Sequence, residues 1–205
     1  MTFRDRRDAG RQLAEALRGQ AGEDAVVVGL ARGGVPVAAE VARELGARLD
    51  ALAVRKIGHP RQPEYALGAA TPGGGLVVRE LADLRVEDVR SAIERAAREA
   101  DELDRALHAQ HAAADLTGRT CILVDDGLAT GATMLAAVRH ARAHGAGRVV
   151  AAAPVGVPDT VRMLEAETDA VVCVAVPEHL LAVGAWYDDF SQVGEREVLD
   201  LLAAG

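Results

Sequence analysis

The residues best suited to chemistry stand together at 121–134, CILVDDGLATGATM. An apolar run ends in two adjacent acids, Asp125 and Asp126. A short turn with Gly127 and Gly131 follows, and Thr130 and Thr133 lead into a helical pattern. Small residues let backbone N–H groups converge, and a helix start adds positive potential, so this stretch can hold an anion. The two threonine hydroxyls can donate to phosphate oxygens. Two carboxylates beside an anion site make chemical sense if the ligand also carries hydroxyls or a magnesium ion. The ligand so described is a sugar phosphate with a vicinal diol. A capped strand–helix turn with incidental acids is the chemically silent alternative. The coincidence of two acids, two glycines and two threonines at one turn argues against it. GxxxxGK[ST] is absent, and GLARGG at 29–34 does not have the GxGxxG spacing.

A second candidate comes from composition. The 205 residues include 23 basic ones, and Lys56 is the single lysine among them. An arginine bias of this kind follows genomic base composition, so a surviving lysine marks a place suited to a compact ammonium. The net charge of −8 argues against a surface wrapped by nucleic acid, which needs a basic stripe. No apolar run approaches membrane-spanning length, and the charged start MTFRDRRDAGRQ lacks a signal-peptide core. Cys121 and Cys173 sit in apolar runs without a CxxC motif and read as buried, reduced thiols of a cytoplasmic protein. Aromatics are scarce, and three of them, Trp186, Tyr187 and Phe190, crowd one short segment.

These residues need a scaffold, and the hydrophobic pattern supplies one. Apolar runs at 25–30, 49–54, 121–124, 149–153 and 171–176 read as strands. Helical spacing marks 8–18 (with Asp5 and Asp8 as caps), 35–45 (stopped by Gly46), 81–107, 133–144, 159–167 and 195–202. Residues 55–63, rich in Pro, Gly and charge, read as a long loop, and 66–78 as a hairpin. Strand–helix alternation with such apolar strands implies an α/β fold, a parallel sheet covered on both faces. Ligands then sit outside the carboxyl ends of the strands. His140 and His144 share a helix face, and His108 and His111 are neighbours. With no carboxylate at metal-ligand spacing, all four read as surface residues, and only His59 reads as a possible acid or base.

Residues 121–134 resemble the phosphoribosyl diphosphate-binding motif of type I phosphoribosyltransferases, and ARGG at 31–34 and VGAWYDDF at 183–190 fit the family in order. The chain is also similar overall to an uncharacterised bacterial group within that family. The resemblance implies one domain over 1–205, with an insertion at about 66–115 and a hood segment at about 177–190. By position, Asp125 and Asp126 would take the ribose hydroxyls, and Ala129, Thr130, Gly131, Ala132 and Thr133 the 5′-phosphate. Ala31, Arg32 and Gly33 resemble the loop that holds the diphosphate, often through a strained peptide bond. Lys56 would stand near the diphosphate, with Arg55 as the substitute. The loop at 58–65 would be a mobile lid. Asp188 would face the diphosphate or magnesium, so that Asp125, Asp126 and Asp188 form the magnesium set and Lys56, Arg32 and Asp188 the catalytic one. Trp186 would stack on an acceptor or cover the sheet edge.

The implied reaction is magnesium-dependent transfer of phosphoribose from phosphoribosyl diphosphate to a small nitrogenous acceptor, with neither nucleic acid nor membrane as partner. A homodimer is compatible with it. Two positions depart from hypoxanthine-type relatives. Ala129 stands where those enzymes carry a catalytic acid, and Pro154-Val155-Gly156 replaces a purine-reading lysine. Their base-stacking aromatic falls at Leu181. The departures keep open a second reading, a non-catalytic module that senses phosphoribosyl diphosphate or a nucleotide.

Overall fold

The computed structural model describes residues 2–59, 62–78 and 86–204. Uninterrupted Val, Ile, Leu and Ala runs suit strands that meet no water on either face. Accordingly, β1 (Val26–Ala31), β6 (Thr120–Val124) and β7 (Arg148–Val155) are buried almost throughout. With β2 (Arg48–Ala53) and the half-buried edge strand β8 (Ala170–Ala175) they form a parallel sheet, order β2-β1-β6-β7-β8. The register sets Val26 beside Cys121 and Gly29 beside Val124. The chain therefore leaves β1 and β6 at the same edge of the sheet. Strand order reverses between these two strands, which opens the crevice where such sheets take ligands.

Two layers of helix close the sheet. On one face, α1 (Arg6–Leu17), α2 (Gly34–Leu45) and α6 (Glu195–Ala204) bring Leu13, Leu17, Val41 and Leu202 against Val27, Ile122 and Val150. Asp5 starts α1 by accepting the Asp8 N–H at 2.7 Å, a cap that stabilises by about 1 kcal/mol. Gly46 ends α2 with φ 64°, as its place in the sequence implied. On the other face, α4 (Ala132–Ala143) sets Met134 and Val138 against Val28, Leu123 and Ala151. Leu164 of α5 (Pro158–Glu165) joins the same core.

A second, antiparallel sheet has the order β3-β4-β5, from β3 (Arg55–His59), β4 (Gln62–Thr71) and β5 (Gly75–Val78). The β4–β5 hairpin agrees with the sequence. β3 corrects it, because 55–59 was expected to be loop. Ile57 is fully buried and packs with Ala92 and Ala96 of α3 (Val86–Leu107), contacts worth about 1.5–3 kcal/mol for the isoleucine. One apolar residue among polar ones carries too little periodicity to announce a strand. The expected lid at 58–65 is divided: 58–59 belong to β3, 62–65 to β4, and 60–61 lie outside the described residues.

Long-range contacts also revise the histidines. Asp50 of β2, 6% exposed, meets His108 just beyond α3, with Nε2 and Oδ1 3.1 Å apart. His140 is half-buried, stacked on His144 at 4.0 Å between centroids, and its pKa is pushed down to about 4 by burial. Both cysteines are free, and burial pushes the Cys121 thiol up to about 12 and Cys173 to about 11. No helix among the described residues is long and apolar enough to cross a membrane.

Candidate active site

The crevice at the β1/β6 edge holds a cavity of about 590 Å³. Of the residues singled out in the sequence, Ala31, Arg32, Gly33, Lys56, Asp125, Asp126, Ala129, Thr130, Gly131 and Thr133 all line it. Ala132, buried as the first residue of α4, stands behind this lining.

Local structure explains how the loop after β6 is held. The Leu128 N–H donates to Val155 O at 2.8 Å, Val157 N–H returns to Leu128 O at 3.1 Å, and Thr160 Oγ1 donates to Ala129 O at 2.6 Å. The start of α5 therefore fastens the turn from behind. Gly131 caps α4 at φ 73°, a left-handed conformation that favours glycine. The first N–H groups of α4 have no partner within the helix and carry its positive end, which suits an anion. Across the crevice the Ala31–Arg32 peptide is cis. A Cβ at Gly33 would collide with the Asp126 carboxylate, and one at Gly34 with the carbonyl of Val124, so both glycines let the two loops approach.

The electrostatics reverse the character of the whole chain. Arg6, Arg32, Arg55 and Lys56 face two acids, Asp125 and Asp126, so four cations meet two carboxylates in an otherwise acidic protein. Burial holds both carboxyls above their ordinary range, and for Asp125 the neighbouring Asp126 adds repulsion. Lys56 and Arg6 pull both back down. Paired, desolvated carboxylates beside a cluster of cations suit a ligand that carries both hydroxyls and negative charge.

Arg6 was not anticipated. Its Nε lies 3.0 Å from Asp126 Oδ2, its Nη1 donates to Ser191 O at 2.8 Å, and its guanidinium covers the Phe190 ring at 3.9 Å. Nothing near residue 6 in the sequence signals this, because the partners lie 120 and 185 residues away.

The hood brings corrections. Tyr187 forms a bridge to Phe3, packs its ring against that of Phe3 at a tilt with centroids 5.4 Å apart, and donates its hydroxyl to Asp126 O at 2.6 Å. Tyr187 is buried there, while Asp188 beside it is turned to solvent. Asp188 is exposed and Trp186 packs in the Phe3–Val155 cluster, and neither lines the cavity. The aromatic at the cavity is Phe190. Leu181 is fully exposed. His59 lines an adjoining cavity of about 230 Å³ with Lys56, Arg95 and Glu99.

Comparison with known proteins places this geometry. The phosphoribosyl transferase domain family matches residues 4–180. A Mycobacterium tuberculosis protein named "Putative phosphoribosyl transferase Rv0571c" is 46% identical over 98% of this chain. The chain spans only 46% of that relative's length. The crystal structure of TT1426 from Thermus thermophilus superposes with a TM-score of 0.83 at 43% identity, covering 100% of this chain and 99% of that one. The AQ2163 protein of Aquifex aeolicus shares the fold alone, with a TM-score of 0.55 at 17% identity over 97% of this chain and 85% of its own. The parallel five-stranded sheet, the acid pair on the glycine-containing turn after β6 and the match over 4–180 together make this chain a member of the phosphoribosyl transferase domain family.

Proposed function

We propose that the protein transfers the phosphoribosyl group of phosphoribosyl diphosphate to a small nitrogenous acceptor and releases diphosphate, with magnesium as cofactor. The observation that carries this reading is the shared cavity: a helix-start loop, two half-buried carboxylates and four cations face one space. Asp125 and Asp126 accept the ribose hydroxyls, and Thr130, Thr133 and the backbone at 129–133 receive the 5′-phosphate. Arg32, Lys56 and the backbone at 31–33 hold the diphosphate.

In the step itself the bond from the anomeric carbon to the diphosphate oxygen breaks, and its electron pair leaves with the diphosphate. The acceptor nitrogen's lone pair forms the new bond, and its surplus proton passes to water. The transition state carries positive charge on the ribose and growing negative charge on the leaving group. Cations already fixed at the diphosphate stabilise it without further reorganisation. Asp125 and Asp126 are hard oxygen donors kept close in a desolvated site, which suits magnesium held partly through the ligand's own hydroxyls. Magnesium, when bound, neutralises diphosphate charge. The exposed Asp188 lies outside that set.

A second reading, a non-catalytic sensor of the same ligand, is favoured by one observation: no carboxylate stands at Ala129, which lines the cavity. Incubation with phosphoribosyl diphosphate, magnesium and a panel of nitrogenous bases, followed by diphosphate assay, separates the two. Release that depends on one acceptor supports the transferase. Tight binding without release for any acceptor supports the sensor, and absence of binding removes both.

A further inference from the structure

Away from the β1/β6 crevice, midway along β2 on the face shared with α4, a second polar centre lies beside a cavity of about 220 Å³ lined by Asp50, His108, Ala114, His140 and His144. Among the described residues, Asp50, His108 and His111 form the one cluster of potential ligands whose donor atoms lie within 4.8 Å of one another. We propose that these three residues bind a divalent transition-metal ion of the zinc class.

The donor set and its surroundings both support this. Two imidazole nitrogens and one carboxylate oxygen form the ligand type that zinc takes in three-ligand sites, where a fourth position stays open. Ligands at about 2.0–2.1 Å on tetrahedral angles stand about 3.3 Å from each other. His108 Nε2 and Asp50 Oδ1 are already 3.1 Å apart. His111 Nε2 is buried and has no hydrogen-bond partner, an arrangement that is costly unless something else is bound there.

The partners behind these groups hold them in the orientation a metal requires. His108 Nδ1 faces the backbone oxygen of Asp104 at 3.1 Å and its carboxylate at 3.3 Å, which turns Nε2 towards Asp50. A histidine fastened at one nitrogen by a carboxylate or carbonyl is the usual support for a metal at the other. The Asp50 carboxylate is oriented as well, by the Ala114 N–H at 2.6 Å and the Ala51 N–H at 2.8 Å. The bound ion joins β2 to the turn after α3, and water or a small anion completes its fourth position.

His140 of α4 and His144 at its C-cap, whose rings stack at 4.0 Å, are the competing pair of imidazoles. Tag-free, full-length protein stripped with a chelator is titrated with Zn²⁺ by calorimetry and with Co²⁺ by visible absorption. Phosphoribosyl diphosphate is left out. The expected result is one equivalent bound, with cobalt bands of a four-coordinate site. Because Asp50 is buried, H111A is the decisive variant, its fold checked by far-UV circular dichroism. It should bind roughly a hundredfold more weakly, and D104N about tenfold. H144A and D125N should bind as the parent does. Absence of saturable binding, unchanged binding in H111A, or loss in H144A alone would overturn the proposal. None of these outcomes bears on phosphoribosyl transfer, because D125N affects only the other site.

Discussion

The Arg6 guanidinium and the Asp126 carboxylate meet at 2.9 and 3.0 Å across 120 residues of chain, at the spot where the ribose hydroxyls are proposed to bind. Both side chains are largely buried, at 12% and 16% exposure, so the pair is not a screened surface contact. Its role follows from what each partner lacks alone. Asp126 is desolvated beside Asp125, and Arg6, with Lys56, offsets part of the cost of its charge.

Replacing Arg6 with methionine keeps much of the stem and removes the charge. R6M should lose about 1.5–3 kcal/mol of stability, the range for a charged hydrogen bond, and bind phosphoribosyl diphosphate about tenfold more weakly. Thermal melts and calorimetry measure both effects. Tighter ligand binding in R6M would mean that Arg6 competes with the ribose for Asp126.

Asp125 should show opposite effects on stability and function. It is held above its ordinary range by burial and by Asp126, so D125N relieves a cost in the free protein. The unliganded variant should be as stable as the parent or up to about 2 kcal/mol more stable, as is common where a binding site carries strain. The same variant should bind phosphoribosyl diphosphate about 10–100-fold more weakly, the loss of a charged hydrogen bond. Unchanged affinity would displace the ribose from this carboxylate.

Lys56 is exposed on β3 yet lines the cavity, so its removal should leave the melting temperature alone. K56A should lower kcat/KM for phosphoribosyl diphosphate by about 10²–10³, comparable to the loss of one donor to a developing anion. Steady-state kinetics with the responsive acceptor test this. An unaltered rate would assign the diphosphate to other cations.

Gly33 faces Asp126 closely enough that an added Cβ must displace the carboxylate. G33A should cost about 1–3 kcal/mol of stability and reduce ligand affinity as well. A variant that melts and binds like the parent would show that the two loops are not held together as described.

His140 supplies the pH dependence. Its folded pKa of about 4 lies below the ordinary 6.5, so the unfolded chain takes up this proton first as the pH falls. This histidine therefore destabilises the fold progressively from about pH 6.5 down to about pH 4, and contributes no slope above or below that window. In chelator-containing buffer, the stability difference between parent and H140L should vary with pH across that window. A constant difference would mean that His140 titrates normally.

The chain's amino-acid order determined what depends on near neighbours. Unbroken apolar runs fix β1, β6 and β7 as buried strands, and Gly46 fixes the end of α2. Asp125 to Thr133 also span one loop and the first turn of α4 whatever surrounds them, so their nearness was legible without coordinates. Lys56 was found by its rarity. Tertiary packing decided the rest. Ile57 makes β3 a strand only because α3 covers it. The Phe3–Tyr187 bridge draws Trp186 into its own cluster, while Asp188 is exposed and Phe190 lines the cavity, an arrangement that local sequence cannot set. Arg6 reaches Asp126, and Asp50 reaches His108, across 120 and 58 residues. Such pairings carry no local periodicity, because their energy exists only once the layers have closed and removed the water between them.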